Sequence, residues 1–127
     1  MKRGYDLLNN VLIDIENGIR TDIKSNVIAR KHTLSEGHLQ RLFRSAYNQP
    51  IGLYIRSSKL TASINDLLNT DSNILDIALD YGFNYEQSYI RAFKRKFGIT
   101  PGKLRKKGKY ELRVNKEGSY GNKASFL

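Results

Sequence analysis

Two short stretches of the chain repeat one chemical pattern. Leu39-Gln40-Arg41-Leu42-Phe43-Arg44 and Tyr89-Ile90-Arg91-Ala92-Phe93-Lys94 both read apolar-x-Arg-x-Phe-basic. On a helix, a residue two positions from a core-facing Phe points away from the core, so Arg41 and Arg91 are forced outward. A guanidinium presents a flat fork of donors that fits O6 and N7 of guanine. The amides of Gln40 and Gln87, close by in sequence, suit adenine. Arg44 and Lys94, three positions on, suit phosphate oxygens, which position a protein on a duplex without reading its sequence. No catalytic constellation competes with this chemistry. The chain has no cysteine, so disulfides, thiolate metal sites and cysteine nucleophiles are excluded. His32 and His38 have no acidic pair at ligand spacing and read as turn and surface histidines. No cofactor, metal or enzymatic activity is expected.

The repeat extends beyond these stretches, with an offset of about fifty residues. Ile28-Ala29 corresponds to Ile77-Ala78. Ala29 to Phe43 is fourteen positions and Ala78 to Phe93 fifteen, which predicts a second turn one residue longer. Each copy is a short helix, a turn and a second helix. The small Ala lets the two helices approach, and the Phe anchors the second on the first. This is the layout of a helix-turn-helix, whose second helix enters the major groove.

The flanking elements follow from period and punctuation. Leu8, Val11, Leu12, Ile15 and Ile19 form one helical stripe over 5–20. A short helix is expected at 26–32 with Ser25 as its N-cap, and another at 36–47 opened by Ser35. Asn48-Gln49-Pro50 breaks the chain before a long helix at 51–69, striped by Leu53, Leu60, Ile64, Leu67 and Leu68. Helices at 74–81 and 85–97 follow, the second stopped by Gly98, and Thr100-Pro101 opens a short helix at 101–107. No strand pattern competes. The expected fold is all-α, about seven helices: one domain over 1–107 with a first unit at 5–50, a linking helix at 51–69 and a second unit at 74–107. Residues 108–127 contain Gly108, Gly118 and Gly121 and lack a helical period. They are expected to form a mobile tail, with a short strand through the alternating Tyr110, Leu112 and Val114 as the alternative.

Twenty-two Lys and Arg oppose twelve Asp and Glu over 127 residues, a net charge of +10. Such an excess favours a polyanionic partner: nucleic acid, an anionic membrane surface or an acidic protein. The charge is uneven. Arg91 to Lys109 holds nine basic residues and no acidic one, while Thr61 to Ile90 has no Lys or Arg but contains Asp66, Asp71, Asp76, Asp80 and Glu86. A basic side and an acidic side would orient the molecule on a polyanion. No apolar run reaches membrane-span length and no signal-peptide pattern opens the chain. With the lack of cysteine, this leads to an expected cytoplasmic location, and binding to a chromosome would make it nucleoid-associated. Lys103-Leu104-Arg105-Lys106-Lys107 has one apolar residue and reads as a DNA-backbone patch rather than a membrane-binding stretch. Tyr47, Tyr54, Tyr81, Tyr85 and Tyr89 are expected mostly to pack, with Tyr85 best placed to reach phosphate.

These residues resemble the DNA-binding domain of the AraC/XylS family of bacterial regulators, and most of all its short MarA/SoxS/Rob group. Three segments carry the resemblance: Ser35 to Arg44, Gly52 to Leu60, and Ile77 to Phe83 continued by Arg91 to Pro101. It runs from about Tyr5 to Lys107. It implies a monomer with two helix-turn-helix subdomains joined by a long helix, its recognition helices in successive major grooves, activating transcription with a further contact to RNA polymerase. Carried over by position, the base-reading candidates are Gln40, Arg41, Gln87, Ser88 and Arg91. The backbone candidates are Ser35, Arg44, Arg56, Tyr85, Lys94, Arg95 and Lys96. Four positions depart from the pattern: Gly37 stands where close relatives carry Trp, Glu86 where they carry Gln, Thr33 in place of a turn Gly, and Ile64 in place of a small residue. A β-branched Thr tolerates positive φ badly, so the first turn is expected to differ in shape. Asp66, Asp71, Asp76 and Asp80 read as a solvated face, and a weaker hypothesis makes this side the polymerase contact. Two rivals remain at this stage: a nonspecific nucleic-acid binder, for which charge suffices, and a protein-interaction module docking through the same helices.

Overall fold

The computed structural model describes residues 2–116, and side chains for residues 6–109. Its helices are α1 (Lys2–Asn17), α2 (Ser25–Lys31), α3 (Glu36–Tyr47), α4 (Ile51–Asn69), α5 (Ile74–Asp80), α6 (Glu86–Phe97) and α7 (Pro101–Lys116). There is no strand among the described residues, so the all-α expectation holds. Helices α3 and α4 begin and end where the N-cap and breaker residues place them.

Two local expectations are corrected. Ser25 is the first residue of α2 rather than its cap. Lys24 holds the cap position in extended backbone, without a side-chain cap bond. The Ser25 hydroxyl instead donates to Glu36 Oε2 at 2.7 Å, tying the start of α2 to the start of α3. The last helix does not stop near Lys107 but continues to Lys116. Gly108 is taken into it and buried. The good helix formers around it, Lys109, Glu111, Leu112 and Arg113, outweigh one glycine. Tyr110, Leu112 and Val114 therefore lie on helical backbone, not on a strand. The rest of the expected tail, 117–127, lies outside the described residues.

The chain divides inside α4, between Lys59 and Leu60, into two compact units. Each is built the same way: an opening helix, a helix-turn-helix and a closing helix. α4 serves twice, its first half closing one unit and its second half opening the other. In the first unit Val11, Ile15, Ile28, Ala29, Leu39, Phe43, Ile51 and Ile55 form the core. Phe43 packs at a tilt against Tyr47 and edge-to-face against Tyr54. In the second, Leu67, Ile77, Ala78, Tyr89, Phe93 and Leu104 are fully or almost fully buried, and Ile64 joins them.

Polar contacts lock each unit at the corresponding place. The residue just after the first helix of each pair bonds a carboxylate on the opening helix. In the first unit it is His32, whose Nε2 lies 2.6 Å from Asp14 Oδ2, with Lys31 Nζ 2.7 Å from Oδ1. Burial works against the Asp14 anion, but the bonds and positive charge from Lys31 and His32 prevail and hold its carboxyl below the usual value of 3.8. In the second unit it is Tyr81, whose hydroxyl shares its one proton between Ala62 O at 3.3 Å and Asp66 Oδ1 at 3.4 Å. Asp66 is thus buried, and the reading of Asp66, Asp71, Asp76 and Asp80 as one solvated face is corrected: only the other three are exposed. Buried Lys59 donates from Nζ to the carbonyl of Thr21, and desolvation pushes its ammonium below the usual lysine value. Arg105, expected in a phosphate-binding patch, turns inward instead. It donates to the carbonyls of Leu67, Asp66 and Thr70 at 3.0, 3.4 and 3.2 Å and so caps the C-terminus of α4.

Candidate nucleic-acid interface

Both helix-turn-helix turns close in one geometry. In the first, Thr33 takes φ of 61° and the Leu34 N–H donates to the Ala29 carbonyl at 2.8 Å. In the second, Gly82 takes φ of 86° and the Phe83 N–H donates to the Ala78 carbonyl at 2.9 Å. The expected difference in shape at Thr33 is not found. Backbone hydrogen bonds, from the Thr33 N–H to Arg30 O at 3.1 Å and from the Leu34 N–H to Ala29 O, hold the exposed β-branched residue in the left-handed region that Gly82 adopts without strain. The extra residue of the second turn is Asn84, which falls between Phe83 and the cap of α6.

After the turn the two second helices run in register. Both are twelve residues long and begin with a glutamate. Each buries its fourth and eighth residues: Leu39 and Phe43, Tyr89 and Phe93. Each ends on a left-handed cap whose N–H donates back into the last turn, Asn48 to Arg44 O and Gly98 to Lys94 O. The buried pair dictates the outward line. Positions two, six and nine face away from it: Gly37, Arg41 and Arg44 on α3, Gln87, Arg91 and Lys94 on α6. All six residues are exposed. Among the described residues, Arg41, Arg44, Arg91 and Lys94 engage no carboxylate in an ion pair.

The remaining candidates fall around this line. Gln40 and Ser88 are half-buried, and Gln40 is the register partner of Ile90, not of Gln87. The Ser35 hydroxyl accepts from the His38 N–H at 3.1 Å as the N-cap of α3. Its counterpart Tyr85 is 72 % exposed and makes no side-chain cap bond at the start of α6. Arg95 is exposed, and Lys96 Nζ sits 5.4 Å from the ring centroid of Phe97. Arg56 is exposed near the start of α4. Of the other tyrosines, Tyr81 and Tyr89 are buried and Tyr47 and Tyr54 half-buried, so packing is their role. Tyr89 lies 2.8 Å from Ser63 Oγ, whose proton goes to the Leu60 carbonyl, so the phenol is the donor. Burial pushes that phenol up to about 12, which keeps it a donor. No cluster of three or more metal-ligating side chains exists among the described residues. No helix among them is long and apolar enough to cross a membrane.

Repeat and spacing placed Arg41, Arg44, Arg91 and Lys94 on the outward faces of the two helices, where the structure exposes them. Through the repeat itself they also set Gly37 opposite Gln87 and Gln40 opposite Ile90. They missed that Asp66 and Arg105 turn inward, which no local pattern marks.

Comparison with known proteins accords with this arrangement. The helix-turn-helix domain family matches residues 28–107. Probable transcription factor PqrA of Proteus vulgaris is 36% identical over 105 residues, covering 81% of this chain and 86% of that protein. HTH-type transcriptional activator AarP of Providencia stuartii is 32% identical, with 78% and 73% covered. Transcriptional regulator Rob of Salmonella typhimurium is 36% identical over 82% of this chain, which spans only 36% of that longer protein. In three dimensions the chain is similar to an AraC-type transcriptional regulator from Chromobacterium violaceum, with a TM-score of 0.78 and 22% identity over 85% of this chain and 96% of that one. At that identity the likeness speaks for the fold.

Proposed function

The chain belongs to the AraC-type helix-turn-helix regulators, and from that membership we propose that it reads duplex DNA with α3 and α6, one in each of two successive major grooves, to regulate transcription. The observation that carries the reading is the shared register of the two helices, with Arg41 and Arg91 at the sixth position of each, exposed and without a carboxylate partner. A nonspecific binder would need the charge but not the register. Arg91 and Gln87 read bases on α6, and Arg41 does so on α3, with Gln40 and Ser88 at the margins. Ser35, Arg44, Arg56, Tyr85, Lys94, Arg95 and Lys96 hold the backbone. One chain supplies both reading helices, so a monomer occupies the site.

Activation is the favoured outcome, since AarP is described as an activator and PqrA as a probable transcription factor. The outer surface of α5 supports a polymerase contact: Asp76 and Asp80 are exposed beside Leu75 and Leu79, which are 42 % and 51 % exposed. Charge reversal at Asp76 and Asp80 lowers activation while DNA affinity stays constant. Unchanged activation removes the acidic surface from the mechanism.

The deciding experiment is binding-site selection from random oligonucleotides, followed by the Arg91→Ala variant on the selected site and on random DNA. An enriched motif is expected, with a loss of about 1–3 kcal/mol on the motif and little on random DNA. No enrichment would favour nonspecific binding, and an equal loss on both DNAs would reduce Arg91 to a phosphate contact.

A further inference from the structure

At the second position of the two reading helices the units part company. α6 carries Gln87 there, exposed and one turn before Arg91. α3 carries Gly37, also exposed, one turn before Arg41. A Cβ at Gly37 would meet one side-chain atom within 4 Å, Arg41 Nη1 at 3.4 Å. The Arg41 guanidinium therefore lies back along the first turn, over the space that a side chain at position 37 would enter. Gln40 does not restore the missing group. It sits at the fifth position, half-buried, on the flank that Ile90 occupies in the other unit.

We propose that residue 37 sets how much sequence the first unit reads: with glycine there, the DNA element under α3 specifies one base pair fewer than the element under α6. This rests on the reading of both helices as major-groove readers. Residues two and six of a helix share a face and lie one turn apart, so a paired Gln and Arg can address neighbouring base pairs. In the second unit both are present, an adenine reader and a guanine reader. In the first unit only the arginine is, and its fork is free to lie along the helix where the partner would stand. The complete target is unequal: two adjacent specified positions under α6, one under α3.

The test compares motifs selected from random oligonucleotides by the unmodified chain, Gly37→Gln and Gln87→Ala. The position is open, the only close atom being the far end of a flexible side chain, and glutamine is the better helix former, so Gly37→Gln folds with a melting temperature equal to or above the parent. It is expected to add an adenine preference beside the α3 guanine, discriminating about 5- to 140-fold against other bases. Gln87→Ala is expected to erase one position from the α6 element by a factor in the same range, leaving the guanine. A normal parental motif unchanged in both variants would overturn the assignment of position 37 alone. No motif from the parent would overturn it together with the reading on which it rests.

Discussion

Thr33 stands where the turn needs positive φ, and it has no glycine freedom to meet that need. A β-branched residue in the left-handed region carries about 1–2 kcal/mol of strain. Glycine removes that strain and costs about 0.5–1 kcal/mol in the unfolded chain. Thr33→Gly should therefore stabilise the protein by about 0.5–1 kcal/mol in urea unfolding, and a destabilised variant would mean that the threonine side chain contributes contacts that outweigh its strain. Asp14 supplies a second residue-scale expectation. Its carboxyl titrates below 3.8 in the folded chain, so it binds fewer protons there than when unfolded. Its contribution is complete above the ordinary carboxylate value and is lost as pH falls through the lower folded value. Urea midpoints measured through that acid range should fall less steeply for Asp14→Asn than for the parent; identical pH dependence would remove Asp14 from the acid response. The left-handed turn was legible at Gly82 from composition. It was not legible at Thr33, because there the backbone hydrogen bonds of the turn override the residue's own preference.

At the scale of elements, α4 closes one unit and opens the next, and its C-terminal carbonyls need partners. Arg105 of α7 supplies them with three hydrogen bonds, and removing a charged donor from such carbonyls costs about 1–3 kcal/mol. Arg105→Ala should show that loss in thermal or urea unfolding, with DNA affinity per folded molecule unchanged. A loss of affinity with stability intact would return Arg105 to the backbone patch that the run 103–107 first indicated. The contact between Tyr89 and Ser63 is neutral and buried, so Tyr89→Phe should cost about 1 kcal/mol. The bounds of α3 and α4 were legible because Ser35, Pro50 and a continuous apolar period mark them. The end of α7 was not, since Gly108 reads as a stop until the helix that absorbs it is seen.

For the molecule as a whole, the charge of +10 governs how tightly and how saltily it binds. Arg44, Arg56, Lys94, Arg95 and Lys96 are the basic members of the backbone set. Five phosphate contacts imply a slope of about −4.5 in log K against log salt, or about a 500-fold loss between roughly 50 and 200 mM. Lys94→Gln should flatten that slope by about 0.9 and weaken specific and random DNA alike. An unchanged slope would take Lys94 off the phosphate. The acidic stretch between Thr61 and Ile90 divides differently from its sequence reading: Asp66 is spent inside the second unit, while Asp76 and Asp80 remain outside on α5.

What the sequence by itself determined was the class of the fold, the two helix-turn-helix units and the outward arginines of their second helices. These follow from local quantities: apolar period, caps, breakers and a repeat of about fifty residues. What only the tertiary structure decided was which polar residues turn inward and how far the last helix runs. Asp66 is buried on the opening helix of the second unit, Arg105 turns to the last carbonyls of α4, and α7 absorbs Gly108. Such contacts join different helices, and spacing along one helix cannot report what packs against it.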